Sequence, residues 1–297
     1  MRIAITGRTG QVATALLERA PLRGATLLPV GRPEFDLAAP GDAVSVFAAL
    51  EPDVIVSAGA HTAVDKAEGE PDLAFAVNAG GAGAVAEAAS ALGVPIIHLS
   101  TDYVFDGSKT TPWREDDPTG PLGVYGASKL AGERAVLAAS DDSVVLRVSW
   151  VYAPFGSNFV RTMLRLAETR DRVGVVADQI GAPTSAHDIA DGILTIAGDL
   201  LERPADRSSR GLFHMPASGP DASWADFAEA IFAGLSRRGG RAPVVDRITT
   251  ADYPTPARRP MYSRLAGDKL AALHAVALPD WRTSLEHVLD RSIGPRA

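Results

Sequence analysis

The 297-residue sequence contains no cysteine, which excludes a disulfide framework, a thiol nucleophile and a thiolate metal site, and gives no reason to expect an oxidising compartment. It also lacks any apolar run approaching the ~18 residues of a membrane span. Met1 to Gly7 enters a strand pattern at once, so no signal peptide is expected and the chain reads as soluble and cytoplasmic. Positive charge is not in excess either: the net charge of −7 argues against broad nucleic-acid binding. The densest basic spots, Arg237-Arg238 with Arg241 and Arg258-Arg259, are short and read as solvated loops. No internal repeat or low-complexity tract is present. With 46% hydrophobic and 22% charged residues, the chain has the make-up of a globular protein with a sizeable core.

What is present is a rhythm. Short Val- and Ile-rich runs alternate with longer Ala- and Leu-rich stretches, as in strands that feed crossover helices. The runs Arg2 to Thr6, Thr26 to Val30, Val54 to Ser57, Pro95 to Ser100 and Val144 to Val148 are nearly continuously apolar, as strands covered on both faces must be. Helices are expected over Gln11 to Arg19, Asp42 to Leu50, Pro71 to Leu92, Tyr125 to Ala139 and Asn158 to Thr169. Beyond Gly174 the elements shorten and Pro and Gly increase. The expected architecture is α/β: a doubly wound parallel sheet of Rossmann type with a smaller C-terminal α/β substrate lobe. Residues 1–155 would form the dinucleotide-binding domain and 156–297 mainly the substrate lobe, with room for the chain to cross back.

Gly7-Arg8-Thr9-Gly10-Gln11-Val12-Ala13 follows the first strand and opens the first helix. There glycines let the backbone turn sharply towards a pyrophosphate that the helix N-terminus stabilises. Gly7, Gly10, Gln11 and Val12 are therefore candidate cofactor residues, although the Gly-x-x-Gly spacing departs from the Gly-x-Gly-x-x-Gly fingerprint. At the end of the second strand, where an NAD-selective site carries an acid, stands Arg32, whose guanidinium suits a 2′-phosphate. That points to NADPH. Asp36, which with Leu37 completes the cofactor set on this side, keeps NADH as the alternative.

Tyr125 and Lys129 are four apart on a predicted helix and share one face. An ammonium beside a phenol favours the ionised form, so Lys129 is expected to draw the Tyr125 pKa down towards neutrality. The strand ending Ser100-Thr101-Asp102-Tyr103 brings Thr101 to the ligand edge of the sheet, where its hydroxyl can bind a substrate oxygen beside the tyrosine. Thr101, Tyr125 and Lys129 form the candidate catalytic set. His98, within an apolar run, reads as a core histidine.

The chain resembles the dTDP-4-dehydrorhamnose reductases, a family of extended short-chain dehydrogenases/reductases. The likeness lies in Gly7 to Val12, Pro52 to Val56, Ala60-His61-Thr62-Ala63-Val64-Asp65-Lys66-Ala67-Glu68, Ser100 to Phe105, Val124-Tyr125-Gly126, Lys129 to Glu133, Arg147 to Tyr152, Asn158-Phe159 with Thr162 to Leu164, Asp178-Gln179 with Gly181 to Thr184, and Arg259-Pro260. The resemblance implies reduction of a nucleotide-linked 4-keto sugar by a nicotinamide cofactor. Tyr125 would donate the proton, Lys129 would tune it and bind the cofactor ribose, and Thr101 would meet the sugar. It further implies Ala60, His61 and Thr62 beside the cofactor, and Asp102 and Trp150 beside the sugar nucleotide. Some members of the family hold Mg²⁺ between glutamates of two subunits. The first helix here has no acid before Glu18, which argues against a metal-bridged dimer, so a monomer or homodimer without a metal site is expected. Ser57 stands where the family commonly has Asn.

Two other readings share these features. A nucleotide-sugar epimerase or dehydratase of the same superfamily would keep the turn and the Tyr-Lys pair, but a dehydratase would show an Asp-Glu pair after the threonine, and Asp102 is followed by Tyr103. A non-catalytic NADP-binding regulatory subunit would have no use for all three of Thr101, Tyr125 and Lys129.

Overall fold

The computed structural model describes residues 1–295. Its centre is a six-stranded parallel sheet. The strands β1 (Arg2–Thr6), β2 (Thr26–Val30), β3 (Val54–Ser57), β4 (Ile96–Thr101) and β5 (Ser143–Val148) lie in the order 2-1-3-4-5, and the strand Gly211–His214 pairs with the outer edge of β5. β3, β4 and β5 are buried at every position, which accounts for their nearly continuous apolar runs.

The helix Gln11–Arg19 packs against the helix Ala186–Glu202. Both contribute to the core on one side of the sheet, with Ile5, Leu16, Val56, Ile97, Ile189 and Ile193 buried in it. The other side is covered by the helices Ala43–Ala48, Ala82–Leu92 and Val124–Ala139. The helix expected from Pro71 to Leu92 is continuous but carries a wider π-type turn over Ala76–Gly81.

Two elements of the second half, Ala186–Glu202 and Gly211–His214, thus lie on the sheet of the first. A second core gathers the helices Phe159–Thr169, Trp224–Ser236 and Trp281–Ile293 around Tyr152, Phe227 and Trp281. The Tyr152 hydroxyl donates to the Trp281 carbonyl (2.9 Å), tying the two ends of this lobe together. Among the described residues no helix is long and apolar enough to cross a membrane.

After β1 the chain runs outward to β2 and then returns across β1 to β3, so the strand order reverses between β1 and β3. In open α/β sheets the crevice at the carboxyl ends beside such a reversal is the ligand site. The residues singled out in the sequence lie around this edge.

Candidate functional site

The Thr6 hydroxyl, at the end of β1, accepts hydrogen bonds from the Ala58 and Gly59 amides (3.0 and 2.9 Å) and so ties the ends of β1 and β3 together. Gly7 follows with φ +95°, a left-handed conformation that favours glycine. Gly10 then caps the helix Gln11–Arg19 with no side-chain hydrogen bond to its first turn and no acid in that turn. The leading amides of that helix are left for another acceptor. A Cβ placed on Gly10 would meet nothing within 4 Å, so the helix start is uncovered on that side. Gln11 is turned to the second lobe, its amide group bonded to the Val151 carbonyl and to Asn158.

Arg32 is exposed and has no ion pair among the described residues, whereas the neighbouring Arg8 is paired with Glu34 at 2.6 Å. Asp36 accepts from the Ala38 amide within its own loop (3.0 Å). Leu37 is wedged between two glycines: a Cβ on Gly59 would come within 2.7 Å of its side chain, and one on Gly81 within 2.4 Å of its carbonyl oxygen.

Ala60, His61 and Thr62 continue the loop after β3. The buried Asn78 amide holds this loop by accepting from the His61 amide (2.7 Å), donating to the His61 carbonyl (3.1 Å) and donating to the Ser128 hydroxyl (2.9 Å) of the Tyr125 helix. The His61 ring meets Glu70 through Nε2, and its Nδ1 is buried without a partner.

Tyr125 opens the helix Val124–Ala139. The Glu68 carboxylate accepts from the Val124 amide (2.8 Å), which favours this helix start by placing a negative charge at its N-terminus. Gly126 lets the helix approach the turn after β4, since a Cβ there would lie 2.1 Å from the Tyr103 carbonyl oxygen. The Thr101 hydroxyl donates to Asp102 Oδ1 (3.0 Å) and accepts from the Tyr103 amide (3.2 Å), and the Tyr103 ring meets the Tyr125 ring edge to face, with centroids 5.7 Å apart. Burial pushes the Tyr125 pKa up to about 12, opposed by the nearby Thr101 hydroxyl and assisted by the Asp102 charge. This is opposite to the direction expected from Lys129. The lysine ammonium is turned towards the Leu99 carbonyl (2.6 Å) and His98 Nε2 (3.3 Å), and its own burial lowers its pKa to about 8.

Asp102 is 2% exposed, and its Oδ2 is buried without a hydrogen-bond partner. Burial raises its pKa to about 7, with the Ser263 and Thr101 hydroxyls acting the other way. Trp150 adopts φ +44°, a left-handed conformation uncommon for a bulky residue and a mark of sites held under strain. Its ring stacks on Trp224 with centroids 3.6 Å apart and planes 6° from parallel.

Several contributors were not visible as site residues in the sequence. Arg259 is no solvated loop residue: it forms a two-pronged ion pair with Asp65 and hydrogen bonds to Thr255 and the Ala257 carbonyl. Asp65 and Glu68 therefore fasten the C-terminal segment and the Tyr125 helix rather than forming an isolated charged turn. Arg238, also expected in solvent, is 1% exposed at its side chain and paired with Glu286 and Asp290. Glu18, on the first helix, pairs with His187 and Arg291.

Residues 1–293 match the family model described as RmlD substrate binding domain. A dTDP-4-dehydrorhamnose reductase of Sinorhizobium fredii is 51% identical over 97% of both chains. Among solved structures, a dTDP-4-dehydrorhamnose reductase of Clostridium acetobutylicum superposes with a TM-score of 0.89 at 35% identity, covering 98% of this chain and 99% of that one. The Bacillus anthracis dTDP-4-dehydrorhamnose reductase in complex with NADP gives a TM-score of 0.88 at 33% identity, covering 97% and 98%.

Proposed function

Since the chain belongs to the RmlD substrate binding domain family, shared with these dTDP-4-dehydrorhamnose reductases, we propose that it reduces dTDP-4-dehydro-β-L-rhamnose to dTDP-L-rhamnose at the Thr101, Tyr125, Lys129 site. A bound nicotinamide supplies the hydride to C4 of the sugar. The chain's own residues hold the reactants and deliver the proton.

Tyr125 donates that proton to the developing C4 alkoxide. A phenol whose pKa is held up near 12 stays protonated at neutral pH, the state a donor in the reducing direction requires. Thr101, at the end of β4 near the same phenol, offers its hydroxyl to the C4 oxygen and fixes the approach of the sugar. Lys129 uses two ammonium protons on Leu99 and His98, leaving one N–H for the cofactor ribose.

The uncapped amides behind Gly10, at a helix start uncovered on that side, fit a pyrophosphate. The exposed, unpaired Arg32 fits a 2′-phosphate and supports NADPH over NADH. Asp102, in the turn directly after Thr101, and Trp150, which follows β5 and stacks on Trp224, are assigned to the sugar nucleotide.

The observation that carries this reading is the placement of Thr101 at the end of β4 beside the start of the helix that bears Tyr125, with Lys129 one helical turn further on. It is tested by following nicotinamide absorbance when the purified protein meets the dTDP-4-keto-6-deoxy sugar and its 3,5-epimerase, with NADPH and NADH in parallel. Oxidation coupled to dTDP-rhamnose formation is the expected result; no oxidation with either cofactor overturns the reading.

A further inference from the structure

His98 is fully buried in β4, and its two ring nitrogens face different partners: Nδ1 lies 3.0 Å from the Ser57 hydroxyl and Nε2 lies 3.3 Å from the Lys129 ammonium. An ammonium has only donors, so Nε2 must accept and the ring proton sits on Nδ1, directed at Ser57 Oγ. The three side chains come from three elements, β3, β4 and the helix Val124–Ala139, and form one buried line ending at Lys129. We propose that His98 is a positioning residue: held in one tautomer by Ser57, it accepts a hydrogen bond from Lys129 and fixes where the ammonium stands and how firmly it keeps its proton. The proposal rests on the assignment of Tyr125 and Lys129 above.

The alternatives for holding the ammonium are few. Lys129 is 3% exposed, so water does not solvate it freely, and among the described residues its one other hydrogen-bond acceptor is the Leu99 carbonyl. Glu133, on the same helix, acts on it as a charge, but its carboxylate oxygens accept from Ser100 and Arg147. The other titratable groups around this helix face are Tyr125 on the helix itself and Asp102 and Tyr103 in the turn after β4; Asn78 and Ser128 are neutral. Burial and the Lys129 charge both depress the His98 pKa, so the imidazole stays neutral and remains an acceptor. A neutral acceptor facing an ammonium favours its charged form. Removing that acceptor lets Lys129 lose its proton at lower pH.

The test compares His98→Leu, which has no acceptor, with His98→Gln, whose amide oxygen can occupy the place of Nε2. The readouts are kcat and the pH profile of kcat/KM, with Lys129→Ala as control. His98→Leu is expected to lower kcat ~10-fold, the usual scale for a hydrogen bond to a charged group. It should also move the alkaline limb to lower pH, while His98→Gln recovers most of both. Equal losses in the two variants with an unmoved alkaline limb overturn the proposal, because that pattern belongs to packing alone. So does a wild-type profile for His98→Leu. Should His98→Leu not fold, Ser57→Ala carries the same test: a limb displaced in the same direction supports the relay and an unmoved one overturns it. Wild-type turnover in Lys129→Ala would instead remove the catalytic assignment, a result distinct from the failure of His98 alone.

Discussion

Glu133 and Arg147 face each other two-pronged, Nε to Oε1 at 2.8 Å and Nη2 to Oε2 at 2.7 Å, each about 3% exposed, and this pair fastens the Tyr125 helix to β5. Ser100 donates to the same carboxylate, and Arg147 extends to His214 on the strand Gly211–His214. Burial and the Arg147 charge together depress the His214 pKa to about 3, so its ring is neutral and Nε2 can accept from the guanidinium. Removing one partner of such a pair leaves a charge uncompensated in the interior, at a cost of about 3–5 kcal/mol. Arg147→Met is therefore expected to lower the unfolding free energy by that amount in urea titrations. The double variant Arg147→Met with Glu133→Leu, which buries neither charge, should regain much of it; a double variant as unstable as the single one would contradict this account.

Tyr125→Phe keeps the ring that packs on Tyr103 and removes only the hydroxyl. Cofactor affinity should stay near wild type while turnover falls on the order of 10²-fold or more, the scale of a lost general acid. Steady-state kinetics and cofactor titration decide the matter together, and near-normal turnover would remove Tyr125 from its role.

Asp102 makes stability depend on pH. Its carboxyl titrates near 7 in the folded protein, mainly through burial, against an ordinary value of 3.8. Between those two values the folded state binds the proton more tightly than the unfolded one. This group's contribution is therefore fully present below the unfolded value and is lost as pH rises through the folded one. Asp102→Asn should unfold less readily than the parent at pH 8, by on the order of 4 kcal/mol, and match it near pH 4. Equal pH dependence in the two proteins would show that Asp102 is not the group responsible.

Arg32→Ala should raise the KM for NADPH more than that for NADH, because the lost guanidinium has a partner only when a 2′-phosphate is present. Since Arg32 has no ion pair to lose among the described residues, thermal stability should be unchanged. Equal effects on both cofactors would leave it without a discriminating part.

The first five strands were legible because their runs are nearly continuously apolar, as burial of the central β3, β4 and β5 requires, and Thr101, Tyr125 and Lys129 because strand end and helix spacing place them. The strand Gly211–His214 was not: four residues with glycine at one end and histidine at the other carry no period, and only the open edge of β5 makes them a strand. The contacts that hold the site were equally hidden. Asn78 meets His61 across 17 residues, His98 meets Lys129 across 31 and Arg259 meets Asp65 across 194, and nothing local in the chain joins such pairs. The direction of the Tyr125 shift was misjudged for a related reason, since helical spacing gives the nearness of Lys129 but not the depth at which the phenol is buried.

The strand that closes the sheet also bears on how the protein can be made. On a ribosome, residues 1–155 emerge with β5 still an open edge and the hydrophobic side later covered by Ala186–Glu202 bare to water. The first half cannot finish folding until residue 214 has left the exit tunnel. A gene cut near codon 155 should therefore yield two aggregating fragments rather than two working modules, and grafting another second lobe onto this first half would succeed only if the returning helix and strand stay with it.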